Sequence, residues 1–343
     1  MESKLNILII GFGSIGRNYG EYIKNTYKYQ TVNVVDPSIH SKDFALKNGF
    51  NYYSDLKDAL KDLKKIDYGI VSNWGPDHLV TIDQLIDAAI KKITVEKPFC
   101  NDIQLGLKIK QKLIDNDVKC NVHFRWSYLN LDKFIFDISK KYNLGNPCSI
   151  FVSGGSGGLS TGGVHWMDFA RRIFFSEPKD VLAKLNIDRI NPRSSDLIYI
   201  DGTTIFTFED NKRLSFCLDN NSSIAIKTKI LFKHGQITID GKSVLRIYKR
   251  KDSEIVMAEK QITRYGIPEL LEESFEFEGK STVCKVVDEM ISDSKNNIVC
   301  CDAESGLIAS SMLIGALESS QSGCIYNFKI LSDIKCSKDW LFS

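Results

Sequence analysis

The chain opens on an apolar run at residues 5–10, broken only by Asn6 and stopped by Gly11. A continuous apolar run ended by glycine predicts a strand buried on both faces. Residues 14–27 predict a helix and residues 31–35 a second strand. In 54–63, Leu56, Ala59, Leu60 and Leu63 share one helical face, with Ser54 placed to cap the helix. Residues 66–72 predict a strand, and in 76–90 Leu79, Ile82, Ile86, Ala89 and Ile90 form another apolar stripe. A strand at 93–96, a helix at 102–116 and a strand at 118–124 complete the series. Strands alternating with helices imply a parallel sheet with helices on both faces.

Beyond residue 124 the pattern changes. Residues 130–142 predict a helix, 148–153 a strand, 154–163 a glycine-rich stretch and 164–175 a short helix. From about 181 to 262, β-like runs are separated by turn-forming groups such as Asp201-Gly202, Asp219-Asn220-Asn221 and Asp240-Gly241. This is the pattern of an antiparallel sheet. Helices are expected again at 282–293 and 303–320. The fold class is therefore α/β, a doubly wound parallel sheet over residues 1–124 followed by an α/β domain with a large, mainly antiparallel sheet over 125–343.

Composition narrows the function classes. With 343 residues the chain can hold two cores. Its formal net charge is only +2, which supplies no general attraction to nucleic acid or to a membrane. Lys249, Arg250 and Lys251 are read as a solvated turn at a strand end. Nine cysteines, an odd number without zinc-knuckle spacing, are read as reduced thiols, and neither they nor the five histidines suggest a metal site. The apolar run 5–10 is too short for a secretory leader, so a cytoplasmic location is expected.

The first chemistry lies in Gly11-Phe12-Gly13-Ser14-Ile15-Gly16, between a predicted strand and a predicted helix. In that context the first glycine permits a tight turn, the second lets backbone approach a pyrophosphate, and the third lets helix and strand pack closely. Asp36 ends the next strand, twenty residues after Gly16. A carboxylate there suits the adenosine ribose and repels a 2′-phosphate, so the expected cofactor is NAD rather than NADP. Further along, Glu96-Lys97-Pro98 follows a predicted parallel strand, at the edge where such sheets bind ligands. A lysine there can hold a substrate hydroxyl and tune proton transfer, and the X–Pro step is open to a cis bond.

These motifs, with His78 in Asn73-Trp74-Gly75-Pro76-Asp77-His78 and with Gly162-Gly163-Val164-His165-Trp166-Met167-Asp168, stand in an order that resembles the glucose–fructose oxidoreductase, inositol dehydrogenase and MocA-like family. The segment 316–323 is similar to that family's closing helix. The resemblance implies an NAD-dependent dehydrogenase or ketoreductase for a sugar or nucleotide sugar, assembled as a homodimer or homotetramer through the open sheet. It implies that Lys97 and His165 flank the reacting carbon, with His165 as general acid/base. Asn73, Trp74, His78 and Glu96 join the glycine loop and Asp36 on the cofactor side. Arg125, Trp126, Thr161 and Asp168 join Lys97 and His165 on the substrate side.

Two departures bear on this. Thr161 stands where many members carry an aspartate, and threonine cannot act as a carboxylate base. Asn73-Trp74-Gly75 replaces the usual Thr-Pro-Asn. The substitution at Thr161 leaves open an NAD-binding regulator without turnover, and the resemblance itself leaves open a redox-neutral sugar-modifying enzyme with tightly held NAD. Gly154-Gly155-Ser156-Gly157-Gly158 is expected either to be flexible enough to close over a substrate or to be a simple bend. Arg171, Arg172 and Arg193 are weaker candidates for a diphosphate.

Overall fold

A computed structural model describes residues 5–27, 30–155, 157–187, 190–191, 194–240, 244–250, 269–276, 281–292, 299–328 and 340–342. Ser156, Arg193 and Lys251 lie outside the described residues. The chain forms two compact units.

The first unit holds residues 1–128, residues 281–311 and the end of the chain. Its sheet comprises β1 (Asn6–Ile10), β2 (Thr31–Val35), β3 (Asn51–Tyr53), β4 (Tyr68–Val71), β5 (Lys92–Val95) and β6 (Lys119–Val122), all parallel in the order β3-β2-β1-β4-β5-β6. The apolar runs read from the sequence are its centre: Ile7, Leu8, Ile9, Ile70, Val71, Ile93, Val95 and Val122 are wholly buried. Helix α1 (Ser14–Thr26) buries Gly16, Tyr19, Gly20 and Ile23, one helical face.

Three local readings need correction. A helix, Ile39–Lys47, and the edge strand β3 lie between β2 and the next helix, where the hydrophobic pattern predicts no element. That helix buries only Ser41 and Ala45, so it has almost no apolar stripe to detect. The following helix is Leu56–Asp62, capped by Asp55, whose carboxylate accepts from Lys57 N at 2.7 Å, and not by Ser54. Pro76 belongs to a separate 3₁₀ turn, Gly75–Asp77, ahead of the helix His78–Asp87.

The helix Val283–Ile291 returns to the first unit and is held there by directional bonds. Tyr22 and Tyr27 both donate to Asp288 Oδ1, at 2.7 and 2.6 Å. Asn121 Nδ2 and the Tyr128 hydroxyl donate to Glu289 Oε2 at 2.9 and 2.6 Å, and Cys300 N donates to its Oε1 at 2.7 Å. Val286, Val287 and Met290 bury its apolar face.

The second unit, residues 129–280 and 312–331, carries strands β7 (Pro147–Gly154), β8 (Asp180–Asn186), β9 (Ile190–Asn191), β10 (Ser194–Ile198), β11 (Asp201–Thr207), β12 (Arg213–Leu218), β13 (Lys227–Phe232), β14 (Gly235–Asp240), β15 (Val244–Lys249), β16 (Glu269–Glu276) and β17 (Tyr326–Asn327). β9 and β10 form a small ribbon. The others make one sheet in the order β16-β15-β14-β13-β7-β12-β11-β8-β17, antiparallel except for β7 beside β12. One face, with Ile150, Val152, Phe206, Phe216, Ile230 and Ile237, is core. The opposite face leaves Phe151 and Ile205 about two-fifths exposed around an open depression of about 830 Å³. Among the described residues no helix is long and apolar enough to cross a membrane.

Candidate active site

In the first unit the strand order reverses between β2-β1 and β4, so the carboxyl ends of β1 and β4 flank the crevice where such sheets take ligands. Gly11 leaves β1 with φ +86°, and a Cβ there would lie 2.3 Å from Asn73 N. A Cβ on Gly16 would lie 2.1 Å from Gly11 O. These two glycines are required by close backbone approach. Gly13 differs, since a Cβ there would meet nothing within 4 Å. It is the N-cap of α1 with no side-chain cap, no acidic residue occupies the first turn, and Gly13 and Ser14 are exposed. The first N–H groups of the helix therefore face open space with the positive end of the helix dipole behind them. This cradle fits a dinucleotide pyrophosphate.

Asp36 shapes the same loop. Its Oδ2 accepts from Phe12 N at 2.7 Å and its Oδ1 from Ser38 N at 2.8 Å. Each oxygen keeps a lone pair for a ribose hydroxyl. Phe12 itself is wholly buried against Phe44 and Phe50, so only its backbone faces the loop. Ser72, which the sequence does not single out, donates to Gly11 O at 2.7 Å and ties the two strand ends together.

Asn73 donates to Thr81 Oγ1 at 2.9 Å, while its Oδ1 is buried with no partner. Trp74 beside it is half exposed. His78 is buried, with Nδ1 2.8 Å from Pro98 O and Nε2 3.1 Å from Asn73 O. Burial pushes its imidazole pKa down against the pull of those carbonyls. The ring stands between the Asn73 loop and the loop after β5. The Lys97–Pro98 bond is cis.

Glu96 is buried at the end of β5, its Oε1 2.8 Å from the Tyr19 hydroxyl and 2.7 Å from His123 Nδ1. Burial alone would push its carboxyl up. The charge and hydrogen bond of His123 outweigh that, helped by Lys97 and Tyr19, and hold it down to about 2. Burial, then the charge of Glu96, push the Tyr19 phenol well above its ordinary 10.0, so Tyr19 stays a donor. Neither Tyr19 nor His123 is marked by a motif. A phenol one turn past Gly16 and a histidine at the end of a buried strand are the available signals. A carboxyl lowered from 4.5 to about 2 stabilises the fold fully above its ordinary value and loses that stabilisation as pH falls through the window between them. Glu96→Gln should therefore lower the urea midpoint at neutral pH and flatten its fall in that acid window, where Glu96 accounts for about 3 kcal/mol. Equal acid slopes for the two proteins would refute the assignment.

Arg125, exposed, and Trp126 follow β6, with the guanidinium 5.3 Å from the indole centroid.

The remaining candidates lie in the second unit. A π-helical turn, Leu159–Gly163, runs directly into the helix Val164–Phe174. Such turns are frequent at functional sites. Thr161 lies within it. From Gly163 to Ala170 every residue is buried except His165. Asp168 is only 1% exposed, with Arg171 Nη1 3.8 Å from its Oδ1. Arg171 also makes a two-pronged bond to Glu177, both prongs 2.7 Å, and Arg172 reaches Asp132 at 3.0 Å. Both arginines serve ion pairs.

Two backbone N–H groups of the glycine-rich stretch have partners far away in sequence. Gly155 N donates to Ile224 O at 2.7 Å, and Gly158 N to the Tyr199 hydroxyl at 2.9 Å. A Cβ on Gly155 would fall 1.7 Å from Ser222 O, and one on Gly157 2.4 Å from Ile226 Cδ1. These glycines let the stretch press against residues 222–226.

Comparison with known proteins follows from this geometry. Residues 5–124 match the family model described as "Oxidoreductase family, NAD-binding Rossmann fold", Gfo/Idh/MocA. A search of curated proteins by sequence finds no match. Among solved structures, the WlbA dehydrogenase from Bordetella pertussis, in complex with NADH and UDP-GlcNAcA, is similar at TM-score 0.71 and 14% identity, over 96% of this chain and 100% of that one. UDP-N-acetylglucosamine 3-dehydrogenase GnnA from Acidithiobacillus ferrooxidans is similar at TM-score 0.70 and 13% identity, covering 93% and 98%. Myo-inositol 2-dehydrogenase from Lactobacillus plantarum is similar at TM-score 0.72 and 14% identity, covering 95% and 100%. At these identities the likeness is one of fold. Residues 5–124 thus match the NAD-binding Rossmann domain of the Gfo/Idh/MocA oxidoreductase family model.

Proposed function

We propose that the protein is an NAD-dependent dehydrogenase or ketoreductase that acts on a CH–OH carbon of a sugar or nucleotide sugar. The observation that carries this reading is the position of Lys97. It follows β5, beside β4, on the same carboxyl edge of the parallel sheet as the glycine cradle. Bound NAD would supply the hydride acceptor. Gly13, Ser14 and Ile15 would hold its pyrophosphate, Asp36 its adenosine ribose, and Trp74 and Asn73 its flank. Asp36 favours NAD over NADP. Lys97 orients the substrate hydroxyl, and His165 takes or returns the proton that accompanies hydride transfer. Thr161, Arg125, Trp126 and Asp168 are assigned to the substrate side. The sugar class is supported by the printed ligand and names of the structural neighbours, WlbA with UDP-GlcNAcA and the two other dehydrogenases. Assembly of two or four copies is assigned to the open sheet face, whose exposed Phe151 and Ile205 favour cover by a partner.

The test is nicotinamide absorbance with NAD and a panel of polyols, sugars and nucleotide sugars. A substrate-dependent rise is expected with at least one of them, and with NADP the rate should be lower. Tight NAD binding with no absorbance change and no chemical change in any sugar would overturn the reading in favour of a regulator.

A further inference from the structure

Three buried polar side chains lie beneath the cofactor cradle, and the reaction assigned above uses none of their acid–base chemistry. Tyr19 is wholly buried on α1, one turn past Gly16. Glu96 follows the end of β5 directly before Lys97, and His123 follows the end of β6. They close a triangle: Tyr19 Oη to Glu96 Oε1 at 2.8 Å, His123 Nδ1 to the same oxygen at 2.7 Å, and Tyr19 Oη to His123 Nδ1 at 2.9 Å. The fourth corner is Thr282, whose hydroxyl lies 2.6 Å from His123 Nε2. All belong to the first unit.

Such a cluster is a costly way to fill a core. A buried carboxylate and imidazole generally stabilise a fold no better than apolar groups of the same volume. What the triangle adds is direction. A single carboxylate oxygen takes its donors from two different elements, so Glu96 is oriented by the nucleotide-binding helix on one side and by β6 on the other. The next residue in the chain is Lys97. Backbone bonds complete the frame, with Glu96 N donating to Val71 O at 2.8 Å and His123 N to Val95 O at 3.0 Å.

We propose that Tyr19, Glu96 and His123 form a positioning cluster that carries dinucleotide occupancy of the glycine-loop helix to the strand end bearing Lys97. Tyr19 is the sensing member, because it moves with α1. His123 is the anchor, fixed from behind by Thr282. The role of Lys97 in turnover rests on the function proposed above, whereas the coupling itself needs only NAD binding.

The test is amide hydrogen exchange on the full chain, with and without NADH, followed at two peptides. One covers the glycine loop and reports binding itself. The other covers residues 96–100 and reports the coupling. In the wild type both should be slowed by NADH, the second by about tenfold. In Tyr19→Phe and His123→Gln, each checked for an unchanged circular dichroism spectrum, protection of the glycine loop should persist while that of 96–100 drops to within about twofold of the nucleotide-free rate. With an active sugar in hand, the same variants should lose about ten- to a hundredfold in kcat while KM holds, the effect of a misplaced group. Protection of 96–100 that is absent in the wild type, or unchanged in both variants, overturns the cluster. Absence of protection at the glycine loop in the wild type overturns the dinucleotide site along with it.

Discussion

Replacing His165 with alanine is expected to reduce turnover by about 10²–10⁴-fold, the usual contribution of a general acid or base. NADH binding should be unchanged, because the glycine cradle and Asp36 lie in the other unit. His165 is singled out by position as well as by type. It sits on the first turn of the helix Val164–Phe174, directly after the π-helical turn, and its neighbours from Gly163 to Ala170 are buried while it is not. A structural histidine would be expected to share their burial. The measurement is steady-state kinetics on the sugar that gives the strongest nicotinamide signal, with NADH affinity read from Trp fluorescence. Full turnover in the variant would remove His165 from the chemistry and leave Lys97 as the proton-handling residue.

Gly11→Ala should abolish NADH binding, through backbone rather than through any lost contact. The residue holds φ +86°, which costs an L-residue of order 1–2 kcal/mol. Its Cβ would also fall 2.3 Å from Asn73 N and 2.5 Å from Ser72 C, both of them backbone atoms that cannot swing aside. Relief requires β1 and β4 to part at their carboxyl ends, where the cradle is built. Gly13→Ala is the control: its Cβ meets no protein atom within 4 Å, so the fold should be kept while approach of a phosphate is hindered. Isothermal titration with NADH, with thermal unfolding alongside, separates the two. A folded Gly11→Ala protein that binds NADH normally would refute the assigned cradle.

The parts of the fold legible in the sequence are those where one physical effect dominates. β1, β2 and β5 are short, largely buried runs rich in Ile, Leu and Val, interrupted by Asn6, Thr31, Asn33, Lys92 and Thr94, as expected where helices cover both faces of a parallel sheet. The glycine cradle was legible because its strand-to-helix context has a mechanism behind it. The helix Ile39–Lys47 and strand β3 were not, since a nearly stripeless helix and an edge strand of three residues leave no periodicity. For Gly154 to Gly158 composition left flexibility or a simple bend open, whereas Gly154 and Gly155 meet the backbone of residues 222–226, Gly157 the Ile226 side chain and Gly158 the Tyr199 ring, all far away in sequence. The Tyr19–Glu96–His123 triangle was hidden for the same reason: three residues separated by up to 104 positions share one oxygen.

The helix Val283–Ile291 has a consequence for anyone who wishes to study the nucleotide-binding unit alone. Cutting the gene after residue 128 would strip Tyr22, Tyr27, Asn121 and Tyr128 of the two carboxylates that accept from them, and would bare the surface beneath Val286, Val287 and Met290. The unit is interrupted rather than terminal, with the second unit entered as a long detour from it. A working miniature would have to carry residues 281–311 along with 1–128. Chain order thus conceals a domain whose last pieces are synthesised more than 150 residues after its sheet is complete. On the ribosome, the parallel sheet must wait for this helix until residues 283–291 have emerged.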